Sequence, residues 1–162
     1  MSEFTGPAVG RREDAPTYRF LDNLAYVLVS GDETDGRRAV VEMHQPAGHM
    51  TPMHVHEGTD ETLHVLEGGI TAHMEDTTRQ VTAGGTVVLP RGRPHALVAD
   101  EPSVVLVSNS PAGFDEFVAA AGEPTDDETV PTPPPSEEAI ERVRDVAPEH
   151  GIEIVGPPPA QQ

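Results

Sequence analysis

The chain contains no cysteine, no tryptophan and no lysine. Without cysteine no disulfide framework can staple the fold, and any bound metal must fall to histidine and carboxylate ligands. Without lysine, all 10 basic residues are arginine, set against 28 acidic ones for a formal charge of -18. So negative a chain is a poor match for a phosphate backbone, and nucleic acid is not an expected partner. The same balance points to adaptation to high salt, where ions screen the self-repulsion that the charge causes. Long apolar runs are also missing. No stretch approaches the length that spans a bilayer, and Met1-Ser2-Glu3-Phe4-Thr5-Gly6-Pro7 has neither the basic start nor the apolar run of a leader. The expectation is a soluble, cytoplasmic protein without a membrane partner. At 162 residues it suits one domain large enough to bury its own core.

Histidine is what the chain does have, 8 of them. His54, His56, Glu61 and His95 stand in two glycine- and proline-framed segments: Gly48-x5-His54-x-His56-x4-Glu61-x6-Gly68, and Gly84-x5-Pro90-x-Gly92-x2-His95. Side chains two apart on a strand point the same way, so His54 and His56 can reach one ion from a single strand. Glu61 follows the turn Glu57-Gly58-Thr59-Asp60 and shares a strand face with Leu63 and Val65. Pro90, Gly92 and Pro94 bend the chain ahead of His95. Three imidazoles and a carboxylate make a site for one divalent transition ion (iron, manganese, nickel, cobalt, copper or zinc), with positions left open for a small-molecule substrate.

Along the chain, residues 1–15 read as a flexible N-terminal arm. Many short strand-like segments follow between turn residues, from Tyr18 to Asn109, and suggest a sandwich or barrel. Only about fifteen residues separate Gly68 from Gly84, room for one hairpin strand pair. Phe114, Phe117, Val118 and Ala121 are spaced for a helix that Gly122 ends. Residues 123–135, rich in acid and proline, read as a linker. In the last segment, 136–162, Ser136 caps a helix over Glu137 to Val146, Ile152 to Val155 is extended, and Gly156 with the prolines after it ends the order. This tail packs on the outside of the barrel or covers its mouth; the residues do not choose between the two. Leu63, Val65, Ile70, Ala72, Val87, Leu89, Leu97, Leu106 and the two phenylalanines 114 and 117 are the core candidates.

The two histidine segments resemble the paired motifs of the cupin superfamily at every position but the last, where Ala99 stands in place of an asparagine that is not a ligand. The resemblance implies an all-β fold, a double-stranded β-helix or jelly-roll barrel, here with short C-terminal helices. From about Pro16 to Val155 the chain is further similar to single-domain cupins of the quercetin 2,3-dioxygenase-like kind. The pieces that carry this are Ser110-Pro111-Ala112-Gly113-Phe114 and Ala147-Pro148-Glu149-His150-Gly151-Ile152. That similarity implies His54, His56, Glu61 and His95 as metal ligands, Glu61 as the base that deprotonates a phenolic or flavonol-like hydroxyl, O2 as co-substrate, and a homodimer. A redox-silent isomerase or lyase and a non-catalytic small-ligand binder are the alternatives.

Of the other histidines, His64 and His73 have the parity of an outer face. His49 belongs to the pocket mouth or to an exposed loop, and His150 to solvent. Arg91 and Arg93 either attract an anionic substrate or, more simply, balance nearby acid.

Overall fold

In a computed structural model, which describes residues 3–159, the chain folds as two antiparallel sheets. The first residues of the expected arm (1–2) and the last of the tail (160–162) lie outside the described residues. The strands are β1 (Thr17–Phe20), β2 (Asn23–Val29), β3 (Ala39–Gln45), β4 (Met53–His56), β5 (Asp60–Glu67), β6 (Gly69–Met74), β7 (Thr78–Thr82), β8 (Thr86–Leu89), β9 (His95–Ala99) and β10 (Ser103–Ser110). Helix α1 (Phe114–Ala121), the short strand β11 (Glu123–Pro124), helix α2 (Glu137–Val146) and strand β12 (Ile152–Gly156) complete the order. One sheet runs β11-β1-β2-β3-β10-β5-β8 and the other β12-β4-β9-β6-β7, a jelly-roll arrangement with short helices at its C-terminal end. Among the described residues no helix is long and apolar enough to cross a membrane.

The core lies between the sheets. Val41, Met43, Leu63, Val65, Val105 and Val107 of the large sheet face Ile70, Ala72 and Leu97 of the small one, with Phe117, Val118 and Val143 of the helices closing one end. Alternation decides membership: along β10, residues Ser103, Val105, Val107 and Asn109 point inward. Leu106 therefore takes the outer side with Val104, although its size made it a core candidate. Val87 is only partly buried.

Gly68 shows why its position needs glycine. Its φ is +80°, and a Cβ there would lie 2.3 Å from the carbonyl oxygen of Pro102, so any side chain would collide with backbone. The tight passage takes β5 directly into β6.

The segments outside the barrel are held by specific contacts. Arg12, within the stretch read as a flexible arm, donates from Nε to the buried Glu42 carboxylate at 2.7 Å and lies over the Tyr26 ring. Within the proline-rich linker, β11 pairs with β1, and Arg19 donates to Asp127 at 2.8 Å. Ser136 caps α2, its Oγ accepting from the Ala139 N–H at 3.1 Å. The extended piece after α2 becomes a barrel strand: β12 lies antiparallel on β4, with Ile152 opposite His56 and Ile154 opposite His54.

Candidate metal centre

His54 and His56 end up on the edge of β4 that faces β9, where His54 is the register partner of His95. The loop ahead of His95 is tied at two points. The Gly92 N–H donates to the His56 carbonyl at 2.8 Å, with Gly92 at φ +75°. Arg91 forks onto Asp60, each of two guanidinium nitrogens 3.2 Å from a carboxylate oxygen, while its backbone N–H reaches the same group at 3.0 Å. Asp60 precedes Glu61, so this exposed pair joins the chain before one candidate ligand to the chain before another. Its energetic worth is small, and its value is positional.

The four side chains converge. Each offers one ligand atom, and these atoms lie within 4.8 Å of one another. Glu61 Oε2 is 3.1 Å from His95 Nε2 and 3.4 Å from His56 Nε2. The His56 and His95 rings stack at 10°. Two donors, each about 2.1 Å from a shared ion in octahedral or tetrahedral arrangement, are separated by about 3.0–3.4 Å. The observed carboxylate–imidazole separations fall in that range, so the residues fit a single divalent ion. His54 shows the expected outer partner as well: its Nδ1–H donates to the Pro52 carbonyl at 2.8 Å, which leaves the Nε2 lone pair free to ligate.

The electrostatics agree with a site built for a cation. Burial, followed by repulsion from His95 and His56, pushes the His54 imidazole down to about 4. Burial also works against a charged His56, but the Glu61 carboxylate, by charge and hydrogen bond, overrides it and raises His56 above its ordinary value. Glu61 is held well below the usual carboxylate range: burial opposes ionisation, and His56 and then His95 outweigh it. Ionised carboxylate and neutral His54 are the forms that bind metal.

Three of the four, His54, His56 and Glu61, line a cavity of about 70 Å³ between the sheets, together with Phe20, Met43, Leu97, Phe114, Phe117 and Ile152. Val143, Ala147 and Ile154 reach it too, so the C-terminal segment covers the cavity. Of the two readings of His49, the exposed loop is overturned, since the residue is 1% exposed, whereas the pocket reading holds in that His49 lines this cavity. Its Nδ1–H donates to buried Asp22 at 2.5 Å and its Nε2 lies 3.3 Å from Asn23 Nδ2. Nothing local to Gly48-His49-Met50 signals this; the adjacent acid and amide Asp22-Asn23 in an otherwise apolar hairpin were the one available hint. His64 bonds Thr86 on the outer face, and His150 lies against Phe117, ring centroids 5.7 Å apart.

Comparison with known proteins agrees with this architecture. Residues 41–109, the segment that carries all four candidate ligands, match the family model described as Cupin domain. An RmlC-like cupin from Shewanella frigidimarina superposes with TM-score 0.59 at 17% identity, covering 68% of this chain and 96% of that one. KdgF from Halomonas sp. gives 0.53 at 24% identity over 59% of this chain and 85% of its own. A predicted oxalate decarboxylase from Thermotoga maritima gives 0.57 at 18%, over 64% and 98%. At these identities the likeness is one of fold. No curated protein matches the sequence.

Proposed function

We propose that the protein is a metal-dependent cupin enzyme, a dioxygenase acting on a compact, non-aromatic enediol-like molecule. The observation that carries this reading is the convergence of His54, His56, Glu61 and His95 within 4.8 Å, with His54, His56 and Glu61 lining a mostly apolar cavity. These four would be the ligands. A divalent transition ion held by them supplies positive charge that makes a substrate hydroxyl more acidic and, when redox-active, allows reaction with O2.

The chain's own residues supply the rest. Glu61 is kept ionised by His56 and His95 and is the carboxylate at the centre, so it is assigned as the base that takes the hydroxyl proton. Phe20, Phe114 and Phe117 keep water away from the deprotonated substrate. The cavity, about 70 Å³, is smaller than the ~150 Å³ that holds a benzene ring. A three-ring flavonol, and a single phenol ring too, therefore exceed it as it stands, and the reading moves to smaller, non-aromatic enediols. The same compactness supports a second reading, a redox-silent isomerase or lyase for a small hydroxy or keto compound. The assembly proposed is a homodimer, which light scattering tests.

Elemental analysis followed by oxygen-electrode assays on catechols, enediols and flavonols tests the proposal. Oxygen uptake that disappears in Glu61→Gln, with metal retained, supports it. Turnover without oxygen selects the second reading, and full turnover by Glu61→Gln removes Glu61 as the base.

A further inference from the structure

The metal cavity has a second polar wall. Asp22, Asn23 and His49 are each 1% exposed, and Asn23 and His49 line the cavity that His54, His56 and Glu61 line. A carboxylate buried in a two-residue hairpin turn is unusual, because turns run over the surface. Here Phe20 pairs with Asn23, leaving Leu21 and Asp22 as the turn. Leu21 has φ +55°, a conformation that such turns normally give to glycine. A bulky residue held there is strained, and such strain collects where function requires it.

The hydrogen-bond directions follow from the chemistry of the groups. An ionised carboxylate only accepts, so Asp22 fixes the His49 proton on Nδ1. Nε2 then carries a lone pair and accepts from Asn23 Nδ2, 3.3 Å away. That contact orients the amide and leaves Asn23 Oδ1 as the remaining acceptor. Oδ1 is buried and has no partner, a condition that calls for an explanation in a packed protein.

We infer that Asn23 is a specificity residue whose Oδ1 accepts a hydrogen bond from a donor group, a hydroxyl, at the end of the ligand away from the metal, with Asp22 and His49 as the residues that position it. The ligand class is a compact molecule with an anionic or enediol-type oxygen for the ion and a separate hydroxyl for Asn23. The inference rests on the metal-site reading given above.

The test loads the full chain with cobalt(II), measures metal content, and then titrates 3-hydroxypropionate and butyrate, following the visible cobalt spectrum and binding heat. The two probes have the same number of heavy atoms, one ending in a hydroxyl and the other in a methyl. The hydroxy acid is expected to bind about tenfold more tightly. Asn23→Leu should bring the ratio close to one with cobalt content unchanged, and Asp22→Asn should lower it by loosening the His49 tautomer. Asn23→Ala serves if the leucine variant does not fold. Equal affinity of the two probes in the cobalt-loaded protein, binding of neither, or a preference that survives loss of the Asn23 amide overturns the inference. A chain that takes up no cobalt sinks the metal reading instead; the probes are then compared on the metal-free protein, where equal affinity again overturns the assignment of Asn23.

Discussion

His54 and His95 stand opposite each other across β4 and β9, with ring centroids 4.5 Å apart and the rings inclined at 65°. Sheet register is thus what joins the two motif halves, and a slip of one residue would turn a ring out of the barrel. Since removing a supporting residue costs a metal site ten- to hundredfold in affinity, His54→Ala or His95→Ala is expected to cost more than about hundredfold. Competition with a chromophoric chelator measures this, and far-ultraviolet circular dichroism should stay unchanged. Affinity within a few-fold of the wild type would take these rings out of the ligand set.

The metal-free protein should show a pH signature from the same cluster. Glu61 is lowered on folding, so its stabilisation is complete above 4.5 and is lost as pH falls through the depressed value. His56 is raised, so its stabilisation is complete below 6.5 and is lost as pH climbs through the raised value. His54 runs the other way: with a folded value of about 4 against 6.5, the unfolded chain binds the proton better between them, and stability rises with pH across that window. Melting scans with a chelator should therefore show Tm falling in acid. In Glu61→Gln the fall below 4.5 should be shallower; an identical acid limb would refute the assignment.

Cavity size is testable from the tail side. Ile152 is buried at 6% exposure and lines the cavity opposite His56 on the adjoining strand. Ile152→Ala should lower stability by about 2–5 kcal/mol and admit ring-sized phenols that the wild type excludes. Denaturant unfolding and calorimetry with catechol check the two halves of this expectation. No gain in phenol binding would show that Ile152 does not limit the cavity.

Salt should stabilise the protein. The formal charge of -18 repels itself, whereas exposed pairs such as Arg19–Asp127 and Arg142–Glu123 contribute little and are screened by the same ions. Repulsion is the larger effect, so Tm is expected to rise from dilute buffer to molar potassium chloride. A flat profile would argue against salt adaptation.

The site was legible because its information is local. Histidines two apart share a strand face, and Gly68 and Gly92 mark bends that only particular backbones allow. Strand parity also read His64 correctly. What stayed hidden was tertiary. Leu106 has the composition of a core residue, but the inward register of β10 is set by pairing with β3 and β5. Ile152 to Val155 reads as extended without disclosing that β4 is its partner. His49 and Asp22 meet across two loops, and no periodicity connects them. Arg12 is held by Glu42 through charge on the outer sheet face, a contact that composition alone presents as a loose, polar arm.

The pairing of β12 with β4 also sets an order of events during synthesis. His54 and His56 leave the ribosome about a hundred residues before Ile152 and Ile154, the neighbours that cover them. Until then β4 has only β9 beside it, and the side of the cavity that Ile152 and Ile154 line stays open. Sealing of the cavity is a late step, dominated by contacts of long sequence separation and correspondingly slow. A metal ion can therefore be captured by the nascent barrel before its outer wall is in place.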